Sequence, residues 1–251
     1  AASDVYKRQP MAGAGSRFAK AGYKNPKPFI DVLGKPMICH VLDNLNIPDA
    51  KFILLTRFEH YNNEQETVKW IKSNYKVEFV MIDKLTEGAA CTVLHAHRLI
   101  NNDTPLLIAN SDQIVDMDIS EYINDSKKRG LDGSVLCFED NDKKWSYAKL
   151  DKNRFITEIR EKEVISKNAT VGIYYFNKGR DFVENAIDMI VRNERVNNEF
   201  YVAPVYNYAI NQGKKFGIYT IGKTQMHGTG TPEDLDKYIE TVKEQQGALV
   251  L

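Results

Sequence analysis

The run from Met11 to Pro28 concentrates the residues best suited to phosphate chemistry. Gly13 and Gly15 permit a tight turn with no side chain between backbone and ligand. Successive N–H groups across Ala12, Gly13, Ala14, Gly15 and Ser16 can converge on phosphate oxygens. Arg17 adds a planar guanidinium able to grip two oxygens at once. Lys27, held between Pro26 and Pro28, adds a second cation on a stiffened segment. A glycine turn with two separated cations is a cradle for a triphosphate. It is neither of the common glycine motifs. Phe18 stands where a dinucleotide fingerprint needs a third glycine, and no Gly-Lys-Ser/Thr follows.

Other candidates lie further along. Asn110-Ser111-Asp112-Gln113 closes the apolar run Leu106–Ala109. A carboxylate there can hold Mg²⁺, which takes oxygen ligands and borrows the rest from phosphates and water; its plain alternative is a helix cap. Thr86 to Thr92 joins a strand to a helix through small residues. Around Glu87 and Gly88 such a turn admits a flat base, or merely starts a helix tightly. Glu161-Lys162 ends a strand ten residues before Gly172; alone, such a pair is a solvated surface pair. Glu199-Phe200-Tyr201 is expected to open a helix, its acid and phenol either touching a ligand or serving as cap and core anchor. His95 and His97 sit two apart on a predicted helix, face different ways and read as structural. His227 is a poor ligand for a hard cation that prefers oxygen.

The chain has 251 residues, enough for one sizeable core. Its 34 basic and 34 acidic residues balance, which argues against a general nucleic-acid or anionic-membrane binder. No apolar run is long enough to span a bilayer. Cys39, Cys91 and Cys137 are odd in number and far apart, the pattern of reduced, mostly buried thiols in a cytosolic protein. Buried strands are expected at 51–56, 77–82 and 105–109, alternating with helices at 36–45, 60–74 and 88–100. That alternation predicts a parallel sheet with helices on both faces and ligands beyond the strands' carboxyl ends. The second half reads as short alternating strands at 134–138, 147–150, 155–159, 171–176 and 216–221. Helices are expected at 180–192, 201–212 and 231–246, the last capped by Thr231 with Pro232 at its first position. Residues 1–9 are polar and read as a non-native stretch contributing no ordered core strand. Residues 10–251 read as a single domain, with no further domain expected after Gly247.

Gly13-Ala14-Gly15-Ser16-Arg17, followed ten residues after the arginine by Pro26-Lys27-Pro28, resembles the signature loop of the nucleotidyltransferases that make nucleotide-sugars. The resemblance runs from Pro10 to about Gln246 and is nearest to the capsule- and lipopolysaccharide-type enzymes. It implies a Rossmann-like GT-A α/β fold with a central, mostly parallel mixed sheet flanked by helices. It implies an NTP and a phosphorylated small-molecule acceptor, a sugar 1-phosphate foremost, with Mg²⁺ on Asp112. Arg17 and Lys27 would meet the triphosphate, and Glu87 and Gly88 the base. Lys162 would hold the acceptor phosphate and Glu161 its hydroxyls, with Tyr147, Gly172 and Glu199 nearby. Trp145-Ser146-Tyr147 matches a place where the family often has an aromatic residue and glycine facing substrate, so Ser146 suggests a different acceptor shape. Gly228-Thr229-Gly230-Thr231-Pro232-Glu233 resembles the last motif, but Gly228 replaces the usual second metal-binding aspartate. Either one carboxylate suffices, another acid such as Asp234 substitutes, or the substrate supplies more ligands. The resemblance further implies a cytoplasmic protein with no nucleic-acid partner and no membrane insertion, and is compatible with a homo-oligomer. Three alternatives remain at this level: a glycosyltransferase using Asp116 and Asp118, a cytidylyltransferase acting on a non-sugar phosphate, and a regulatory protein that binds without turnover.

Overall fold

Alternate side chains of the strand Lys51–Arg57 leave on opposite faces, and both faces are apolar. Ile53 and Leu55 enter one core; Phe52 and Leu54 enter another. Leu106–Ala109 divides the same way, Leu106 and Ile108 against Leu107 and Ala109. A continuous apolar run is therefore two half-patterns, one for each layer of helices. The helices Met37–Asn44, Gln65–Asn74 and Ile119–Lys128 supply the second core, with Ile38, Val41 and Leu42, Val68 and Ile71, and Ile119, Tyr122 and Ile123 at helical spacing. Gly179–Val191 and Val205–Asn211 supply the first through Phe182, Val183, Ala186, Val205, Tyr206 and Ala209.

The computed structural model describes residues 6–10 and 16–248, with side chains described from 17 to 244. Its main sheet runs, in spatial order, Ile156–Glu161, Ser146–Leu150, Asn168–Phe176, Leu106–Ala109, Tyr6–Pro10, Lys51–Arg57 and Val77–Ile82. Gly133–Glu139 branches from Asn168–Phe176 and pairs in parallel with Phe216–Thr220. The sheet is parallel from Leu106–Ala109 to Val77–Ile82 and antiparallel from Leu106–Ala109 to Ile156–Glu161. It is an α/β fold with a mixed sheet and helices on both faces, as expected.

Several local expectations need correction. Tyr6–Pro10 does form a strand, paired in parallel with both Lys51–Arg57 and Leu106–Ala109. Backbone pairing on two sides overrides the poor pattern of its side chains. Val77–Ile82 is, among the described residues, an edge strand of mostly half-buried residues paired on one side with Lys51–Arg57. The helices expected at 60–74 and 88–100 each divide in two, at Glu64 and around Ala96. Gly133–Glu139 and Asn168–Phe176 are almost wholly buried rather than alternating, because both lie inside the main sheet. The segment from Glu199 to Pro204 is not helical; the helix begins at Val205. Cys39 and Cys137 are buried and Cys91 half-buried, all three free thiols.

Candidate active site

Of the expected cradle, Lys27 meets the end of the Leu106–Ala109 strand at Asp112. Residues 11–15, with Ala12, Gly13, Ala14 and Gly15, lie outside the described residues, as does the side chain of Ser16. Arg17 is exposed in the short helix Ser16–Lys20. Lys27 opens a 3₁₀ turn whose other residues, Pro28 and Phe29, are buried. That anchor holds the lysine so that Nζ lies 2.5 Å from Asp112 Oδ2, with side chains 16% and 27% exposed. Opposite charges this close and sheltered neutralise one another.

The last motif is brought to the same place by a small ribbon. Met226–Gly228 pairs antiparallel with Gln113–Val115, Gly228 opposite Gln113. Thr229 N donates to the Asp112 carbonyl at 2.8 Å. A Cβ at Gly230 would sit 3.2 Å from Asp112 Oδ2, so the backbone at Gly230 passes close to the carboxylate. At Gly228 a Cβ would lie 4.0 Å from Asp234 Oδ2, placing that acid beside the position where an aspartate is absent. Among the described residues no three His, Cys, Asp or Glu side chains form a complete metal cage. Mg²⁺ asks for less: one or two carboxylates with phosphates and water. Asp112, 27% exposed and beside the Gly230 backbone, offers one such carboxylate.

The second charged group lies at the far end of the sheet. Glu161 ends its strand half-buried and accepts a hydrogen bond from Ser146 Oγ. Burial pushes its carboxyl above the ordinary range; the Ser146 bond and Lys162 oppose this, and Glu199 adds to it. Lys162 has a left-handed backbone, φ +57°, a cost of about 1–2 kcal/mol for a side-chain-bearing residue. Such strain persists where surroundings over-determine it: Lys162 N donates to the Trp145 carbonyl at 3.0 Å, and Nζ donates to Tyr201 Oη at 2.8 Å while lying 4.9 Å from the ring centre. The Tyr201 bond raises the ammonium's pKa. Glu199 is exposed and acts electrostatically on both Glu161 and Lys162.

Gly172 packs against the strand end that carries Asp112. It sits at a break in register of Asn168–Phe176, with φ +92°, and a Cβ there would meet Asn110 Nδ2 at 2.3 Å. Asn110 N donates to the Gly172 carbonyl at 3.1 Å. Asn110 is two residues before Asp112, and the same strand touches Tyr147 through Ala169.

Tyr147 is a correction. Its ring is fully buried and its hydroxyl donates to the Asp142 carbonyl at 2.8 Å. Along a strand neighbours point to opposite faces: Tyr147 joins the core containing Phe138, Ala148 the other core. Trp145 packs edge-on against Phe138, ring centres 5.2 Å apart. Only Ser146 of that triplet reaches Glu161.

The turn expected to read the base has a partner inside the protein. Glu87 carbonyl accepts from Phe200 N at 2.8 Å, and Ala90 N donates to the Phe200 carbonyl at 3.0 Å. Gly88 has φ +126°, and a Cβ would lie 2.4 Å from the Phe200 carbonyl oxygen. The Glu87 carboxylate is engaged by Arg195 Nη2 at 2.7 Å. Sequence reading passed over Arg195, which carries no local signal. Asp116 and Asp118 each have a partner of their own: Asp118 caps Ile119–Lys128 through Ser120 N, and Asp116 binds His227 Nε2 at 2.7 Å. His97 Nδ1 bonds its own chain at the Leu94 carbonyl.

A mixed α/β sheet thus carries a cation–carboxylate pair beyond its parallel strands and a lysine–glutamate pair beyond its antiparallel ones. The Nucleotidyl transferase family model matches residues 11–245, and the chain belongs to that family. It is 27% identical over 215 residues to the bifunctional protein GlmU of Methanococcus vannielii, covering 82% of this chain and 48% of that protein. It is 27% identical over 179 residues to a mannose-1-phosphate guanyltransferase of Yarrowia lipolytica, covering 66% of this chain and 48% of that one. The chain thus spans about half the length of the curated relatives it matches. In fold it resembles a nucleoside-diphosphate-sugar pyrophosphorylase from Vibrio cholerae RC9, with TM-score 0.78 and 24% identity over 93% of this chain and 99% of that one. A UDP-glucose pyrophosphorylase solved with UDP-glucose gives TM-score 0.75 at 17% identity, over 97% and 99% of the two chains. Among the described residues no helix is long and apolar enough to cross a membrane.

Proposed function

We propose that this chain condenses an NTP with a phosphorylated acceptor, a sugar 1-phosphate foremost, to give the NDP-derivative and pyrophosphate. The observation that carries the reading is Lys27 Nζ 2.5 Å from Asp112 Oδ2, a contact between residues 85 apart in the chain. A triphosphate arriving there can take the ammonium from the carboxylate. An acceptor phosphate oxygen then attacks the α-phosphorus in line; the new P–O bond forms as the α–β bridging bond breaks, and pyrophosphate leaves with the electron pair. No side-chain nucleophile is required, because positioning and charge neutralisation supply the catalysis. Lys27 and Arg17 steady the leaving phosphates, and Gly88 lies at the base. Lys162 holds the acceptor phosphate, while Glu161 and Glu199 accept from its hydroxyls beside Gly172. Asp112 would hold Mg²⁺, which when bound neutralises phosphate charge.

The names of the relatives support a sugar phosphate as acceptor. The proposal extends to a cytoplasmic enzyme feeding surface-polysaccharide synthesis. One observation favours a second acceptor class: Ser146 Oγ already occupies Glu161, leaving less of that carboxylate for sugar hydroxyls. A screen of NTPs against sugar 1-phosphates and non-sugar phosphates, with Mg²⁺ and pyrophosphate as readout, tests both. Pyrophosphate is expected with one NTP and a sugar 1-phosphate; none with any pair would refute nucleotidyl transfer.

A further inference from the structure

Arg195 lies outside every group described so far as substrate-binding, yet it touches the structures that serve both substrates. It sits in a tight connection where Asn193, Asn197 and Asn198 all have positive φ and Val196 bridges to Glu199. Its guanidinium carbon is 4.3 Å from the Phe200 ring centre, and Nη2 is 2.7 Å from Glu87 Oε2. Beneath this contact the backbone is zipped: Phe200 N to the Glu87 carbonyl, Ala90 N to the Phe200 carbonyl, with Gly88 pressed on Phe200. Phe200 is flanked by Glu199, which acts on Glu161, and by Tyr201, which accepts from Lys162. Two segments more than a hundred residues apart in the chain thus meet at one residue, the nucleotide-side turn on one flank and the acceptor-side lysine on the other.

We propose that Arg195 is a positioning residue that, by pairing with Glu87 across the face of Phe200, carries order in the nucleotide-side turn to Tyr201 and Lys162. The inference rests on the nucleotidyl-transfer reading. Glu87 is 64% exposed, so the ion pair contributes little to stability. Its use is geometric: it presses the turn on the Phe200 segment, so a nucleotide that orders the turn also orders the hydroxyl holding Lys162.

Hydrogen exchange and kinetics on the full chain test this. ATP, CTP, GTP, UTP and dTTP are added singly with Mg²⁺, and amide exchange is followed in residues 86–92 and 199–204. With the nucleotide that binds, wild type should slow exchange in both segments, whereas Arg195→Ala and Glu87→Gln should slow it in 86–92 alone. Both variants should keep the wild-type melting temperature and raise the acceptor KM about tenfold. The double variant should be no worse than either single one, because both remove the same contact. Arg195→Lys should restore part of the loss. Wild-type protection confined to 86–92 overturns the proposal while leaving the nucleotide reading intact. So does an acceptor KM raised by Arg195→Ala and untouched by Glu87→Gln, which would make Arg195 a direct phosphate ligand. Protection in neither segment by any of the five, with no pyrophosphate released, overturns the nucleotide reading and this inference with it.

Discussion

Lys27 with Asp112 and Lys162 with Glu161 offer the same two kinds of charge, held in opposite ways. The first pair is closed on itself, ammonium to carboxylate. In the second, two chain neighbours take separate neutral partners: Lys162 the Tyr201 hydroxyl, Glu161 the Ser146 hydroxyl. A self-neutralised pair must be opened by an incoming charge strong enough to compete, and a triphosphate is such a charge. Charges held by hydroxyls keep most of their field and are ready for a weaker ligand. Under the proposed function, the Lys27–Asp112 side would act as a latch for the nucleotide and the Lys162–Glu161 side as a preset clasp for the acceptor.

The largest effect should fall on the latch. Asp112→Asn keeps shape and one oxygen but loses the charge, and should lower pyrophosphate release about 10³-fold at saturating Mg²⁺, the upper range for removing one preorganised electrostatic group. Asp116→Asn and Asp118→Asn should retain most activity, since one binds His227 and the other caps a helix. Activity in the Asp112 variant with a dead Asp118 variant would replace the latch by a glycosyltransferase site. Lys27→Ala comes next, at about 10²-fold in kcat; steady-state rates equal to wild type would remove Lys27 from the mechanism.

On the clasp, Lys162→Ala should raise the acceptor KM about tenfold or more and move the NTP KM less, given one charge-assisted contact of about 1.5–3 kcal/mol. Equal shifts in both would mean that Lys162 serves a shared phosphate and that the two regions are not separate.

The pH dependence sharpens the same contrast. Burial raises the Glu161 pKa, so on acidification its ionised form is lost at higher pH than for an ordinary glutamate. The acid limb of acceptor kcat/KM should accordingly lie above the ordinary glutamate range, and Glu161→Gln should remove that component. The acceptor's own phosphate titration would persist in the variant, so an unchanged profile would show that Glu161 does not govern the limb.

The smallest effect belongs to Tyr147→Phe. Losing its bond to the Asp142 carbonyl should cost about 1 kcal/mol in denaturant unfolding with both KM values unchanged. A selective rise in acceptor KM would return Tyr147 to the clasp.

The strands at 51–57 and 106–109 were readable because a buried parallel strand must be apolar on both faces, whatever it packs against. The cap at Thr231 was equally local: its hydroxyl accepts from Asp234 N at 3.1 Å. Lys27, Asp112, Glu161 and Lys162 could be singled out by charge and by their places at turns and strand ends. The amino-acid order alone misjudged Tyr6–Pro10, because its place in the sheet depends on hydrogen bonds offered by two strands distant in sequence. It misjudged Tyr147 because one step along a strand reverses which core a side chain enters. That Lys27 closes on Asp112, that Ser146 binds Glu161 and that Arg195 spans to Glu87 were decided only by tertiary structure. Each is a meeting of polar groups from separate elements, and short-range pattern records which face a residue occupies, not which distant partner the fold brings to it.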